Sequence, residues 1–146
     1  MSTLRQKLPS IVRILLGLTF FVFGLNGFLH FLPQPPMSPA AGVFLGGLAS
    51  TGYFFPVLKA VEVTVGLLLL TNRFVPLALT LIAPIIVNIA LFHVLLEPSP
   101  GMAAFLLASE IYLTWVYRSA FRGMLAARNA PAVSTVLPVP AVAVAE

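Results

Sequence analysis

Between Phe54 and Leu96 the chain reads FFPVLKAVEVTVGLLLLTNRFVPLALTLIAPIIVNIALFHVLL. Two apolar runs flank one polar triplet, Thr71-Asn72-Arg73, and a turn there makes the runs an antiparallel helical hairpin. At a rise of about 1.5 Å per residue, each run comes close to crossing a hydrocarbon layer about 30 Å thick. The same pattern recurs on either side, in a span from about Ile11 to Leu32 and another from about Met102 to Phe121. Pro33, Pro35, Pro36 and Pro39 follow the first span, and Glu97-Pro98-Ser99-Pro100-Gly101 precedes the last. The expected fold is therefore all-α, a four-helix transmembrane bundle with spans near 11–32, 54–70, 74–96 and 102–121.

Composition supports that class. Of the 146 residues, 60% are apolar and 8% charged, whereas a soluble domain carries about 25% charged residues. The outer surface of such a bundle must be lipid. Cysteine is absent, which excludes disulfides, thiol catalysis and thiolate-held metal or iron–sulfur centres within this chain. The net charge of +4 does not point to nucleic acid, because the cations sit at the span ends.

Those cations set an orientation. Arg5, Lys7 and Arg13 lie at the amino end, Arg73 in the middle turn, and Arg118, Arg122 and Arg128 at the carboxyl end. The segments from Pro33 to Tyr53 and from Glu97 to Gly101 carry neither Lys nor Arg. The positive-inside rule then predicts cytoplasmic termini and a cytoplasmic middle turn. A cleaved signal peptide is the competing reading of the first span, with Ser38-Pro39-Ala40 as its cleavage site. Its apolar run exceeds the usual length of about 7–15 residues, and a proline interrupts the site. The apolar segment from Ala40 to Gly52 is too short to span and predicts a short outer helix or re-entrant piece, packed through Phe44 and Leu48. The membrane domain is expected over 1–122, and a flexible cytoplasmic tail over 123–146.

Against this background the ionisable and amide residues stand out, since a charge at mid-membrane costs about 2.5–3.5 kcal/mol on insertion scales. Counted from Arg13, Asn26 lies roughly 20 Å and His30 roughly 26 Å towards the outside. Counted from Arg73, Glu62 lies roughly 17 Å, Lys59 roughly 21 Å and Asn88 roughly 23 Å in the same direction. Glu110 lies roughly 12 Å above Arg118. Each span thus offers a polar group to the outer half. Lys59 and Glu62, three residues apart, share a helix face and can pair. The pair either lines a cavity or simply neutralises itself inside the bundle. Glu110 has no basic residue within a turn on its own helix, and a protonatable carboxyl there suits a proton relay or a hydrogen bond to a ligand oxygen. The bland alternative is a bond to a stray backbone carbonyl.

Pro84 removes a backbone donor one turn below Asn88 and predicts a kink. Gly17, Gly24 and Gly27 predict a close-contact stripe on the first helix. His30 and His93 fall near the outer interface, where two histidines from different helices could ligate haem. An interfacial role beside Phe28, Phe31 and Phe92 is the preferred reading, so haem is not expected. No metal site is expected either.

The run Arg13-Ile-Leu-Leu-Gly-Leu-Thr-Phe-Phe-Val-Phe-Gly-Leu-Asn-Gly-Phe-Leu-His-Phe resembles the opening span of DoxX-like membrane proteins. So do Lys59-Ala-Val-Glu-Val-Thr-Val-Gly-Leu-Leu-Leu-Leu with the following Asn-Arg-Phe-Val-Pro-Leu-Ala-Leu, and Val87-Asn-Ile-Ala-Leu-Phe-His. The likeness covers about residues 8–122. It implies a multi-pass bacterial inner-membrane protein, and a link to redox complexes such as a thiosulfate:quinone oxidoreductase. No catalytic set comes with it.

The leading expectation is a subunit or accessory protein of a quinone-linked redox system, with Glu110, Lys59 and Glu62 as its candidate catalytic residues. A quinone offers two carbonyl oxygens and an apolar tail to a lipid-accessible site. Asn26, Lys59 and Asn88 would bond its head group, Glu62 would hold Lys59, Glu110 would exchange a proton, and Phe20, Phe23 and Phe92 would flank it. A small-solute or proton transporter using the same charges is one alternative, and a scaffold or assembly factor without chemistry is another. The partners expected are the bilayer, a membrane or periplasmic redox enzyme and further copies of the chain.

Overall fold

The computed structural model describes residues 2–34 and 36–127, with side chains from Gln6 onward. Arg5, Pro35, Arg128 and the expected tail beyond Ala127 lie outside the described side chains or residues. Five α-helices follow one another: α1 (Ser2–Leu29), α2 (Pro39–Ser50), α3 (Phe54–Leu70), α4 (Val75–Leu95) and α5 (Pro100–Val116). A 3-10 turn over Arg118–Phe121 closes the described fold, and no strand occurs among the described residues.

The turns form where the sequence punctuates them. His30 takes a left-handed conformation (φ 51°) just past α1, and its N–H returns to the Asn26 carbonyl at 2.9 Å. The helix therefore stops at Leu29, three residues short of the expected Leu32. Ser38 caps α2 through its hydroxyl, which accepts from Ala41 N at 3.2 Å, and Pro39 occupies the first turn. Gly52 (φ 71°) then lets the chain bend by 94° into α3. Asn72 (φ 57°) and Phe74 (φ 50°) make the turn into α4, which runs through Pro84 as one helix rather than two.

α1 packs chiefly on α3, α3 on α4, α4 on α5, and α5 back on α1, so the four long helices close a ring. The α1–α3 contact is antiparallel and intimate. A Cβ at Gly17 would lie 2.9 Å from Leu69 Cβ, one at Gly24 would lie 2.8 Å from Val63 N, and one at Gly66 would lie 2.6 Å from Phe21 N. The expected glycine stripe on α1 is thus a true close-approach face, and Gly66 completes it from the other side.

Leu16, Phe20, Val65, Leu69, Leu79, Ile82, Ile86, Leu106, Leu113 and Phe121 form the buried core. These residues concentrate towards the end that carries the α1 start, the α3–α4 turn and the α5 end. Towards the opposite end, apolar side chains face outward, as with Val94 (67% exposed) and Leu95 (72%). An apolar exterior over a thin core is what a lipid solvent permits. By length and composition α1 (from Gln6) and α4 are able to cross a membrane, while α3 and α5, at 17 residues each, fall just short of that length.

Candidate functional site

α3 supplies the one ion pair among the described residues. Lys59 Nζ donates to Glu62 Oε2 at 2.7 Å, with Glu62 buried and the Lys59 side chain 22% exposed. The pair sits where it does because α1 has no side chain at Gly27. The Lys59 stem lies across that glycine, in the space a Cβ would fill, and Glu62 Cβ packs beside Gly24. Lys59, Glu62 and Gly66 occupy one face of α3 and all meet α1. The Lys-before-Glu order is the weaker one along a helix. Burial compensates, because the carboxylate has left water and the ammonium is its partner.

Asn26 is buried in α1, one residue before the Gly27 that the Lys59 stem crosses, and its side-chain oxygen holds a backbone N–H. It accepts from Leu32 N at 2.6 Å and so fixes the turn that ends α1. Glu110 is buried on α5 together with Ser109. The Thr114 hydroxyl one turn on offers it a side-chain hydrogen bond, yet its Oε2 atom is buried with no partner among the described residues. Lys59 is spoken for by Glu62, and no ion pair joins it to Glu110.

Asn88 is exposed on α4, and its amide donates back to the Pro84 carbonyl at 2.9 Å. Together with Phe44, Leu91, Phe92, Leu95 and Leu96 it lines an open groove of about 240 Å³ between α2 and α4. Phe44 reaches Phe92 there, with ring centroids 6.0 Å apart. A second groove of about 280 Å³ runs between α3 and α4 along Val57, Ala60, Val61, Thr64 and Leu81. Neither groove is lined by Lys59, Glu62 or Glu110. Among the described residues no hydrogen bond or ion pair joins the Lys59–Glu62 pair, the Glu110 carboxyl and the outward Asn88 amide to one another.

The histidines serve separate turns. His30 is exposed beyond α1, whereas His93 Nδ1 lies 2.9 Å from the Ile89 carbonyl and its ring meets Phe92 edge-on at 5.3 Å. Phe20 belongs to the core, while Phe23 is exposed. No group of three or more His, Cys, Asp or Glu side chains able to hold a metal occurs among the described residues.

Two polar contacts were not foreseen from the sequence. Arg13, read there only as a boundary marker, is buried (7% exposed). Its Nη1 donates to the Leu69 carbonyl, and to that of Leu70 at 3.4 Å. It thereby satisfies the carbonyl end of α3, where a cation also complements the helix dipole. The signal was available, since Arg13 falls inside an apolar run opposite the end of the next span. Glu97 is the second. Its Oε2 accepts from Ser38 N at 2.7 Å while Ser38 Oγ donates to the Leu96 carbonyl at 2.7 Å, tying the start of α2 to the α4–α5 loop.

No family model, curated protein or solved structure matches the chain.

Proposed function

We propose that this chain is a DoxX-like, four-span protein of the bacterial inner membrane that serves a quinone-linked redox system as a subunit or accessory protein. Four spans require α3 and α5 to cross as well. At 17 residues each they cover roughly 26 Å, at the short end of what a bilayer accepts. Both termini and the α3–α4 turn are assigned to the cytoplasm, because every described cation except Lys59 gathers at that end.

One observation carries the functional part: the Glu110 carboxyl, buried in an apolar helix with one oxygen unpartnered. A buried acceptor left open is costly to retain, and an ionisable group inside a membrane helix marks a site by default. In this reading Glu110 exchanges a proton with the bound quinone, and Lys59, steadied by Glu62, offers an N–H to a quinone oxygen. Asn88 and Phe92 guide the tail from the lipid side. Asn26 keeps its oxygen on the α1 turn, and its amide N–H would donate to the quinone.

The test is a titration of the reconstituted protein with a ubiquinone or menaquinone analogue. Glu110→Gln and Lys59→Ala each weaken binding at least about tenfold if a hydrogen bond to a charged or buried group is lost. Unchanged affinity in both variants removes the quinone site. The scaffold reading is favoured by a different observation, that neither groove is lined by Lys59, Glu62 or Glu110. It expects a redox enzyme to co-purify with the chain while no small molecule does.

A further inference from the structure

The end of the bundle opposite the Ser38–Glu97 tie holds cations without counter-charges. Lys7 on α1, Arg73 in the α3–α4 turn, and Arg118 and Arg122 after α5 are all exposed there. The described carboxylates are placed elsewhere. Glu62 is paired with Lys59, Glu97 holds the start of α2, and Glu110 is buried within α5. Arg13 is the fifth cation at this end among the described side chains, but the α3 carbonyls occupy it. Four cations thus remain on a face with no anion among the described residues.

Trp115 fixes the depth of one of them, Arg118. The indole is 66% exposed, and the Arg118 guanidinium lies 4.7 Å from its ring centroid. Arg118 Nη1 also donates to the Trp115 carbonyl at 3.0 Å. Tryptophan favours the boundary between acyl chains and head groups, so a guanidinium stacked on it stands at the level of lipid phosphates. The guanidinium keeps further N–H donors, in the planar fork that suits a phosphate. Arg122 follows four residues later, past the turn in which its backbone N–H meets the Ser119 carbonyl at 3.4 Å.

We infer that this face binds the phosphate head group of an anionic glycerophospholipid, with Trp115, Arg118 and Arg122 as its contacts. The inference rests on the membrane-spanning reading and is independent of the quinone role. Charge complementarity selects an anionic lipid over a zwitterionic one, because each cation near a negatively charged surface adds to the attraction and no anion among the described residues lies on this face to offset it.

The test uses the full chain and its Arg118→Gln/Arg122→Gln double variant. Each is floated with vesicles of phosphatidylcholine alone and with equimolar phosphatidylcholine and phosphatidylglycerol. Lipids retained after gentle detergent extraction are then measured by native mass spectrometry. The wild type floats with both vesicles and retains phosphatidylglycerol preferentially. The double variant floats equally well and loses that preference, by about fivefold for each arginine. Trp115→Ala also weakens it, whereas millimolar inorganic phosphate leaves it in place. Equal retention of both lipids by the wild type, or an undiminished preference in the double variant, overturns the inference, as does displacement by inorganic phosphate. Failure of the wild type to float with phosphatidylcholine would remove the membrane reading itself.

Discussion

Gly66→Ala adds one methyl group where the glycine seam comes closest to neighbouring backbone, and its effect follows from the geometry. The new Cβ would lie 2.6 Å from Phe21 N and 2.8 Å from Phe21 Cα. Both are backbone atoms, so no side chain can swing away. Carbon pairs prefer about 3.5–4.0 Å, so α3 must retreat from α1 by roughly 1 Å. A gap of that size forfeits roughly a quarter to a half of each dispersion contact along the seam. The seam includes Gly17 against Leu69, Gly24 against Val63, and Lys59 across Gly27. The expected destabilisation is about 2–3 kcal/mol, at the upper end for overpacking. The same change at Gly46 meets open space, with nothing within 4 Å. There the better helix propensity of alanine predicts no loss, and a gain of up to about 1 kcal/mol. Equilibrium unfolding of the two variants in mixed detergent micelles measures the difference. Equal stabilities would mean that α1 and α3 do not approach as described, and the placement of Lys59 against Gly27 would fall with that.

Removing one member of the buried pair, by Lys59→Met or Glu62→Leu, should destabilise by about 3–5 kcal/mol, whereas the double variant should recover most of the loss. The same unfolding assay measures this, and an additive double variant would refute the pairing. Arg13→Met leaves the carbonyls of Leu69 and Leu70 without their charged donor and should cost about 2 kcal/mol. Faster hydrogen exchange in the last turn of α3 would register the change. The chain has no cysteine, so single thiols report topology cleanly. An impermeant thiol reagent should label Ser99→Cys in intact cells and Ser119→Cys only after permeabilisation, and the reverse order would invert the orientation.

Position along each helix was legible in the sequence, and azimuth was legible only where something marked it. Helical rise places a residue along the membrane normal whatever it packs against. For this reason the turns at Asn72 and Ser99 and the short helix after Ser38 fall close to where punctuation put them. Which way a residue points depends on the phase of its helix, and hydrophobic periodicity normally supplies that phase. In lipid both faces are apolar and the marker fades. α1 kept one, because Gly17, Gly24 and Gly27 fall on one side. α3 kept another, since Lys59, Glu62 and Gly66 recur at helical spacing. α4 contains no glycine and a single amide, so nothing told Asn88 to face inward, and it lies on the groove beside Phe92. Arg13 stood out as a cation inside an apolar run, but its partners did not, because they are backbone carbonyls, which leave no trace in a sequence.

The buried polar side chains can be sorted by how each is satisfied. Arg13, Asn26, Glu62, Ser109 and Glu110 are the described residues of this kind. Arg13 spends its charge on the end of α3, Asn26 holds Leu32 N, and Glu62 is neutralised by Lys59. Each of these contacts strengthens a turn or a helix–helix seam, and each explains its residue without invoking a ligand. Glu110 differs, because its open oxygen secures no turn and joins no helix. A buried carboxyl whose one polar contact is the Thr114 hydroxyl on its own helix carries a desolvation penalty, and leucine is the better residue there unless the carboxyl does something else. Stability therefore gives a direct discriminator: Glu110→Leu should make the protein more stable while abolishing function, and a clear loss of stability would show that Glu110 serves the fold instead.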